Sequence, residues 1–181
     1  YYCESNGNTG DGFRMVGPGA GVRFVSCTAA SNTGWGMNFT GANCADIWIT
    51  SPELSGNAAG NLNILSGSKY TIVGGLCEAV PLAGGITIGS PIVSITGMTI
   101  QSFPDATLGN GITINSTDVT ISTCVITGCG TAGIVWGAAA GRGSIDGVIC
   151  SSVGATQAIG IRFDGVAPIA ISGGSYSNNT N

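Results

Sequence analysis

The sequence has no histidine and little charge, with five basic and nine acidic residues among 181. Without His the chain lacks Ser-His and Cys-His nucleophilic catalysis and the usual zinc sites, whereas carboxylate chemistry remains open to it. The net charge is −4 and the few basic residues are scattered. Because such a chain cannot neutralise a phosphate backbone, we expect no nucleic-acid partner.

Long hydrophobic runs are also missing, and leucine is scarce. No stretch approaches 18 consecutive apolar residues, so we expect no membrane insertion. There are 20 Ile against 6 Leu, and Ala, Glu and Lys form no runs. This composition excludes a helical bundle and favours strands. The 43% of apolar residues is enough for a real core.

An internal repeat organises the whole chain, with three short elements in each copy. In each element two apolar residues flank one that is mostly polar, which is the pattern of a strand with one buried face. Of 42 aligned slots 38 are apolar, and the first elements start 22 to 27 residues apart. The separation between the second and third elements is the same in all seven copies. A generic β-sandwich would not keep such a register.

The apolar pairs recur as follows. The first element holds Phe13/Met15, Met37/Phe39, Leu62/Ile64, Ile86/Ile88, Ile112/Ile114, Ile134/Trp136 and Ile161/Phe163. The second element holds Val22/Phe24, Ile47/Ile49, Tyr70/Ile72, Val93/Ile95, Val119/Ile121, Gly143/Ile145 and Ile169/Ile171. The third element holds Cys27/Ala29, Pro52/Leu54, Gly75/Cys77, Met98/Ile100, Cys124/Ile126, Val148/Cys150 and Gly174/Tyr176.

Three such elements make one triangular coil, and stacking coils about 4.8 Å apart buries the apolar pairs and aligns the strands in parallel. The predicted fold is therefore all-β: a right-handed parallel β-helix of about seven coils, with three short strands per coil. We expect positive φ at the glycines that precede the first element, with Asn61 replacing glycine in one coil. These glycines are Gly12, Gly36, Gly85, Gly111, Gly133 and Gly160.

Residues 1–181 are interpreted as a single β-helix domain. Tyr1 and Cys3 fit the third element of a preceding coil, and no polar cap covers either end. We therefore expect an internal piece of a longer chain.

The seven cysteines are predicted to be free thiols. Cys27, Cys77, Cys124 and Cys150 fall in inward slots, as Cys3 is expected to do. Members of one column lie three or four coils apart, beyond the reach of a disulfide. Cys44 and Cys129 are placed in turns. We expect no metal site and no cofactor.

The outward positions supply the candidate ligand-binding residues. Trp136 is predicted to be core, but Trp48 lies between two inward isoleucines and should point outward. Arg23 occupies the same outward column one coil earlier. Trp48 and Arg23 are candidates for stacking a sugar ring, and a structural cation–π pair is the alternative.

One pair of carboxylates can be placed together. Glu53 and Glu78 lie in adjacent coils, two residues apart along the strand, with Gln101 in the next coil. Such a diagonal offset is about 7–8 Å, within the range of paired glycosidase carboxylates. Glu53 and Glu78 are the candidate catalytic residues and Gln101 a candidate binding residue; the alternative is a solvated face without function. We expect Asp105 to reach this face from the longest turn.

Two acid–base pairs in adjacent coils are interpreted as surface ion pairs with little effect on stability. They are Asp46 with Lys69 and Asp118 with Arg142.

The phrases Gly-Ile-x-Ile and Val-x-Ile-x-x-Cys-x-Ile between Gly111 and Ile126 resemble the pectate-lyase-like β-helix superfamily. Within it the chain is similar to phage tailspikes and, more distantly, to pectinases. The resemblance implies binding or cleavage of long polysaccharides, a homotrimer, and a place in the virion tail or outside the cell. Because the pectinase motifs Asn-x-Asp, Asp-Asp and Gly-His-Gly and the lyase calcium cluster are missing, no catalytic residue is carried over.

The predicted function is binding of a cell-surface polysaccharide, with cleavage by a glycoside hydrolase or lyase mechanism left open. The alternative is a structural stalk or adhesin without a carbohydrate ligand. An ice-binding solenoid would need a regular Thr array, but Asn63 and Val135 interrupt the column of Thr87 and Thr113.

Overall fold

The computed structural model describes residues 2–78, 84–103, 109–151 and 159–177. Across these ranges the protein is a parallel β-solenoid of stacked coils with three strands per coil and no helix. Consistently, none of the described segments is a helix that could span a membrane. The predicted fold class is confirmed: seven strands stack in one sheet, so the chain makes about six turns from the first to the last.

Three parallel sheets form the walls, named here by the element of the repeat they contain. Sheet 1 comprises β2 (Phe13–Met15), β6 (Trp35–Phe39), β9 (Gly60–Ile64), β12 (Ile86–Ile88), β15 (Ile112–Ile114), β18 (Ala132–Trp136) and β21 (Ile159–Phe163). Sheet 2 comprises β3 (Gly19–Ala20), β4 (Arg23–Val25), β7 (Cys44–Thr50), β10 (Ser68–Val73), β13 (Val93–Thr96), β16 (Val119–Ser122), β19 (Gly143–Asp146) and β22 (Ile169–Ser172). Sheet 3 comprises β1 (Glu4–Asn6), β5 (Thr28–Ala30), β8 (Glu53–Ser55), β11 (Leu76–Glu78), β14 (Thr99–Phe103), β17 (Val125–Cys129), β20 (Ile149–Ser151) and β23 (Ser175–Ser177).

The register of the sheets is the one that the repeat predicts. In sheet 1, Ile86 pairs with Leu62 on one side and with Ile112 on the other. In sheet 3, Ile126 pairs with Cys150. Because each strand keeps this register with both neighbours, the inward residues stack into continuous apolar columns along the solenoid.

The interior of the solenoid is a single apolar core. Trp136 is buried, as predicted, and its indole Nε1 donates a hydrogen bond to the carbonyl of Gly141 at 2.9 Å. Near the first coils four rings form an edge-to-face chain with centroids 5.6 to 5.9 Å apart, an arrangement favoured by the ring quadrupoles. Its members are Phe13, Phe24, Phe39 and Tyr70.

At the corner between sheets 2 and 3 every coil has a residue with a left-handed φ at the same position, and in two coils the next residue, Gly75 or Gly174, also has a positive φ. The residues at the shared position are Ser26, Ser51, Gly74, Gly97, Thr123, Gly147 and Gly173, with φ between 48° and 69°. A single left-handed residue turns the chain sharply in a fixed number of residues. This geometry explains why the second and third elements are always equally far apart.

The expectation for the glycines before sheet 1 is wrong: none of Gly12, Gly36, Gly85, Gly111, Gly133 and Gly160 has a positive φ, and neither does Asn61. The reason for glycine there is the close approach of neighbouring coils. A β-carbon on Gly12 would lie 2.7 Å from the carbonyl oxygen of Gly36, and one on Gly111 would lie 2.6 Å from that of Gly133.

No disulfide joins the described cysteines, as predicted, but two of them lie elsewhere than predicted. Cys44 begins β7 and Cys129 ends β17, and both are buried instead of lying in turns. In each strand a residue with a positive φ, Asp46 or Gly128, lies between the repeat element and the cysteine. It reverses the alternation, so the cysteine side chain enters the core. Cys3 lies opposite Cys27 in the inward slot that the repeat predicts, but it is exposed because no described coil covers it.

Candidate functional site

The outer face of sheet 2 carries the predicted aromatic site. Arg23 and Trp48 are paired across β4 and β7, and the guanidinium carbon of Arg23 lies 5.2 Å from the centroid of the Trp48 ring. Trp48 is 36% exposed, which is high for a Trp on a paired strand. The structure thus brings these two candidates into contact, in the geometry of a cation–π pair.

Hydroxyl groups continue this face away from the tryptophan, in register from strand to strand. Trp48 is followed by Thr71, Ser94, Thr120 and Ser144. A parallel second column contains Thr96 and Ser122, whose hydroxyl oxygens are 3.0 Å apart. Since neighbouring strands are about 4.8 Å apart, the face presents hydroxyls at a regular spacing along the solenoid. We name this surface, from Trp48 to Ser144, the hydroxyl track.

A cavity of 180 Å³ lies beside the hydroxyl track. Thr71, Ser94 and Thr120 of the track line it, together with Lys69 and Asp118. It therefore offers neutral hydroxyls with one charge of each sign at its border.

Both predicted ion pairs are confirmed, and they lie at this edge of sheet 2. Lys69 Nζ is 3.7 Å from Asp46 Oδ1, and Arg142 Nε donates to Asp118 Oδ1. The two basic side chains are mostly solvated and the two carboxylates partly so, and such surface pairs add little to stability.

The two candidate glutamates lie on the outer face of sheet 3. The register pairs Glu53 with Leu76, and Glu78 with Ser55, so the glutamates are one strand and two residues apart. Strand geometry sets their α-carbons about 8 Å apart on the same face. Gln101, paired with Glu78 in the next coil, donates from Nε2 to Glu78 Oε1 at 2.9 Å.

The structure separates these candidates into two groups. Trp48 and Arg23 lie on sheet 2, whereas Glu53, Glu78 and Gln101 lie on sheet 3, beyond the corner that contains Ser51. Asp105, which the sequence predicts to lie near Glu53 and Glu78, is outside the described residues.

Sequence reasoning missed a group on sheet 3 beside Glu53. The Tyr2 hydroxyl donates to Glu4 Oε1, and Glu4 and Glu53 flank Thr28 in one outward column. The hydrogen bond to Glu4 is the main cause of a raised Tyr2 pKa. Extending the third element back to residues 4–6 would have placed Glu4 here.

Two chains of buried asparagines were also missed. Inside the corner between sheets 3 and 1, Asn57 Nδ2 donates to Ala29 O and Asn61 Oδ1, while its Oδ1 accepts from the backbone and side-chain amides of Asn32. All three asparagine side chains are buried. The signal was available, because Asn32 and Asn57 are 25 residues apart, one coil length.

The second chain lies on the outer side of sheet 1. Asn63 Nδ2 donates to Asn38 Oδ1, and Asn38 Nδ2 donates to Asp11 Oδ2 at 2.8 Å. The alternation predicts that Asn38 and Asn63 face solvent, yet both are buried, so this part of the face is covered. Asn63 Oδ1 has no partner within the described part of the chain.

The described residues contain no group of three or more His, Cys, Asp or Glu side chains placed to hold a metal ion. The sequence matches no protein-family model, no curated protein and no solved structure. The site therefore has to be interpreted from its own geometry.

Proposed function

We propose that this solenoid binds a long cell-surface polysaccharide along the hydroxyl track, in the manner of the tailspike-like proteins that the repeat resembles. The observation that carries the proposal is the exposed Trp48 ring at one end of a straight run of Thr and Ser hydroxyls. An aromatic ring offers a flat apolar surface to the face of a sugar. The hydroxyls that follow supply hydrogen bonds to a polymer that extends across several coils.

The electrostatics of the track favour a neutral or weakly charged ligand. The column from Thr71 to Ser144 has no charged residue, and the charges at its border occur as the pairs Asp46–Lys69 and Asp118–Arg142. Arg23 and Asp146 are the exceptions. The cation of Arg23 is held over Trp48 and is available to an acidic group on the sugar next to the ring, whereas Asp146 lies beside Ser122 in the second column and accepts a hydrogen bond from Ser172. A homotrimer in the full-length protein and a location in the virion tail or outside the cell belong to the same proposal.

A second candidate function, cleavage of the polysaccharide, is favoured by the register of the two glutamates. With their α-carbons about 8 Å apart on one face, the two side chains can hold their carboxyl groups at the separation of about 6.5–9.5 Å that leaves room for a water molecule in inverting glycosidases. The amide of Gln101 fixes the Glu78 carboxylate, which fits Glu78 as the base and Glu53 as the acid.

Binding is tested with a panel of capsular and lipopolysaccharide-derived polysaccharides in affinity electrophoresis. We expect retardation by at least one polymer, reduced about tenfold or more in Trp48→Ala. Thr120→Tyr, which places a bulky ring on the track, should block binding, whereas the matched change Thr87→Tyr on the outer face of sheet 1 should not. If all three variants bind equally, the track is not the site; if the chain binds no polymer, the structural-stalk alternative is favoured.

Cleavage is tested by reducing-end release from the polymer that binds. We expect Glu53→Gln and Glu78→Gln each to lower release at least 100-fold while leaving binding unchanged. Asp46→Asn, which removes an exposed carboxylate on sheet 2, is the matched control. If both glutamine variants release reducing ends as fast as the unchanged protein, the two glutamates are not catalytic. That result would leave the binding proposal unaffected.

A further inference from the structure

Two cysteines meet in adjacent coils at the first turn of the solenoid. Glu4 pairs with Thr28 in parallel register, so the preceding residues, Cys3 and Cys27, are directly opposite each other. The backbone amide of Thr28 donates to the carbonyl of Cys3 at 2.9 Å, which fixes this register up to the cysteines.

The spacing of these residues meets the geometric requirement for a disulfide. Opposite residues in neighbouring strands have α-carbons about 4.8 Å apart, inside the 4.4–6.8 Å range of disulfides. Cys124 and Cys150 provide the contrast. They are in neighbouring strands of the core but two residues out of register, since Cys150 pairs with Ile126, which gives about 8 Å.

In this chain of 181 residues the pair is also accessible to a reagent. Cys3 is exposed, and Cys27, although only 4% exposed, shares with it the lining of a 390 Å³ cavity. The other walls of this cavity are mostly apolar and include Phe13 and Phe24. Cys44, Cys77, Cys124, Cys129 and Cys150 are each fully buried.

We propose that Cys3 and Cys27 form an oxidisable dithiol site, which closes into a disulfide between the first two coils when the folded protein meets a small-molecule disulfide. The Cys3 thiolate attacks one sulfur of the oxidant, forming a mixed disulfide and releasing one reduced thiol. Cys27 then loses its proton and attacks Cys3 Sγ, forming the Cys3–Cys27 bond and releasing the second thiol. Two protons leave the protein, and two electrons pass to the oxidant.

Burial gives the two thiols different roles in this exchange. Burial raises the pKa of Cys27, so this thiol is protonated at neutral pH more completely than an ordinary cysteine. The exposed Cys3 is therefore the attacking thiol and Cys27 the resolving one. In a reducing compartment the pair stays open, and it closes where disulfides persist.

The experiment treats the reduced, folded chain with oxidised glutathione at pH 8, caps the remaining thiols with iodoacetamide and digests without reductant. Because Arg14 and Arg23 lie between the two cysteines, trypsin puts Cys3 in residues 1–14 and Cys27 in residues 24–69. We expect these peptides to be joined, with a mass about 2 Da below their sum. Chymotrypsin, cutting after Phe39, then separates Cys27 from Cys44 and identifies the linked cysteine.

Each alternative result counts against the proposal: Cys3 carrying only glutathione, a link to Cys44, or two chains joined through Cys3. As an independent measurement, oxidation should raise the melting midpoint by about 5 °C, because the bond closes a loop of roughly 24 residues. Cys3→Ser, a change at an exposed position, should remove both the linked peptides and this increase. An equal increase in Cys3→Ser would overturn the assignment.

Discussion

Gly36 lies so close to Asn57 that a β-carbon on the glycine would be 2.7 Å from the amide nitrogen Nδ2 of Asn57. The same β-carbon would be 2.7 Å from the backbone oxygen of Asn61. This contact joins two adjacent coils at the corner before sheet 1, where the buried asparagines run through the interior.

We expect Gly36→Ala to lower the free energy of unfolding by about 2 kcal/mol, because the added methyl group must displace Asn57 or the backbone of the next coil. Urea denaturation followed by circular dichroism measures the change. Gly10→Ala is the matched control, since its β-carbon would meet nothing within 4 Å and its φ is not positive. Equal stability of the two variants would show that the coils have room at this corner.

Asn57→Ala should lower the free energy of unfolding by about 3 kcal/mol, because the amides of Asn32 and the carbonyl of Ala29 lose the hydrogen bonds that Asn57 gives them inside the corner. Asn8→Ala removes an exposed member of the same chain and should cost under about 1 kcal/mol. Thermal and urea denaturation of both variants provide the comparison. A loss at Asn57 no larger than at Asn8 would contradict a structural role for the chain of asparagines.

Thr123→Gly should stabilise the protein by about 0.5 kcal/mol, since Thr123 is a β-branched residue with φ of 49°. Gly74 and Gly97 occupy the same corner in other coils. Thr120→Gly, on the adjacent strand β16, should destabilise by about 1 kcal/mol because an extended residue gains no relief from glycine. Urea denaturation should show a higher free energy of unfolding for Thr123→Gly and a lower one for Thr120→Gly. A loss of stability in Thr123→Gly would mean that the left-handed φ does not strain Thr123.

Alkaline pH should destabilise the fold through its buried thiols. Burial raises the pKa of Cys77, Cys129 and Cys150 from 9.0 to about 12. Below pH 9 the three thiols are protonated in both the folded and the unfolded chain, and their stabilising effect on the free energy of unfolding is fully present. Between pH 9 and 12 only the unfolded chain releases the protons, so stability falls by about 1.4 kcal/mol per thiol for each pH unit.

Urea denaturation under reducing conditions at pH 8 and pH 10.5 measures this fall. Cys150→Ala removes one of the thiols. The free energy of unfolding should therefore fall less between pH 8 and pH 10.5 in this variant, by the amount that Cys150 contributes. Tyr70, whose pKa is also raised by burial, contributes in the same direction in both proteins. A pH dependence unchanged in Cys150→Ala would mean that its thiol ionises in the folded state.

The strands and their register were predictable because one physical requirement, burial of an apolar pair, repeats in every coil. Leu62, Ile86 and Ile112 occupy equivalent slots in three copies, and pairing them in space follows from stacking alone. The outward direction of Trp48 follows from the same alternation.

The corners and polar contacts were not predictable in this way, because they depend on distances between coils and not on a period within one. A glycine in the sequence has the same letter whether it allows a positive φ, as at Gly74, or a close approach, as at Gly36. The pairing of Cys3 with Cys27 was missed because the sequence analysis aligned this element on Tyr1 and Cys3, whereas the structure pairs Ser5 with Ala29 and so puts Cys3 opposite Cys27. The hydrogen bond from Gln101 to Glu78 depends on side-chain conformations that no pattern encodes.

The corner between sheets 2 and 3 is intolerant of insertions, because it has the same length in every coil. One extra residue beside Ser51 would shift β8 by one position, exposing Leu54 and turning Glu53 toward the core. The turn from sheet 1 to sheet 2 differs in length between coils, although in several of them it ends in a residue with a left-handed φ, such as Asp46 or Asp118. New recognition loops can therefore be inserted in this turn ahead of that residue, whereas an insertion between sheets 2 and 3 would turn the buried face of the next strand outward.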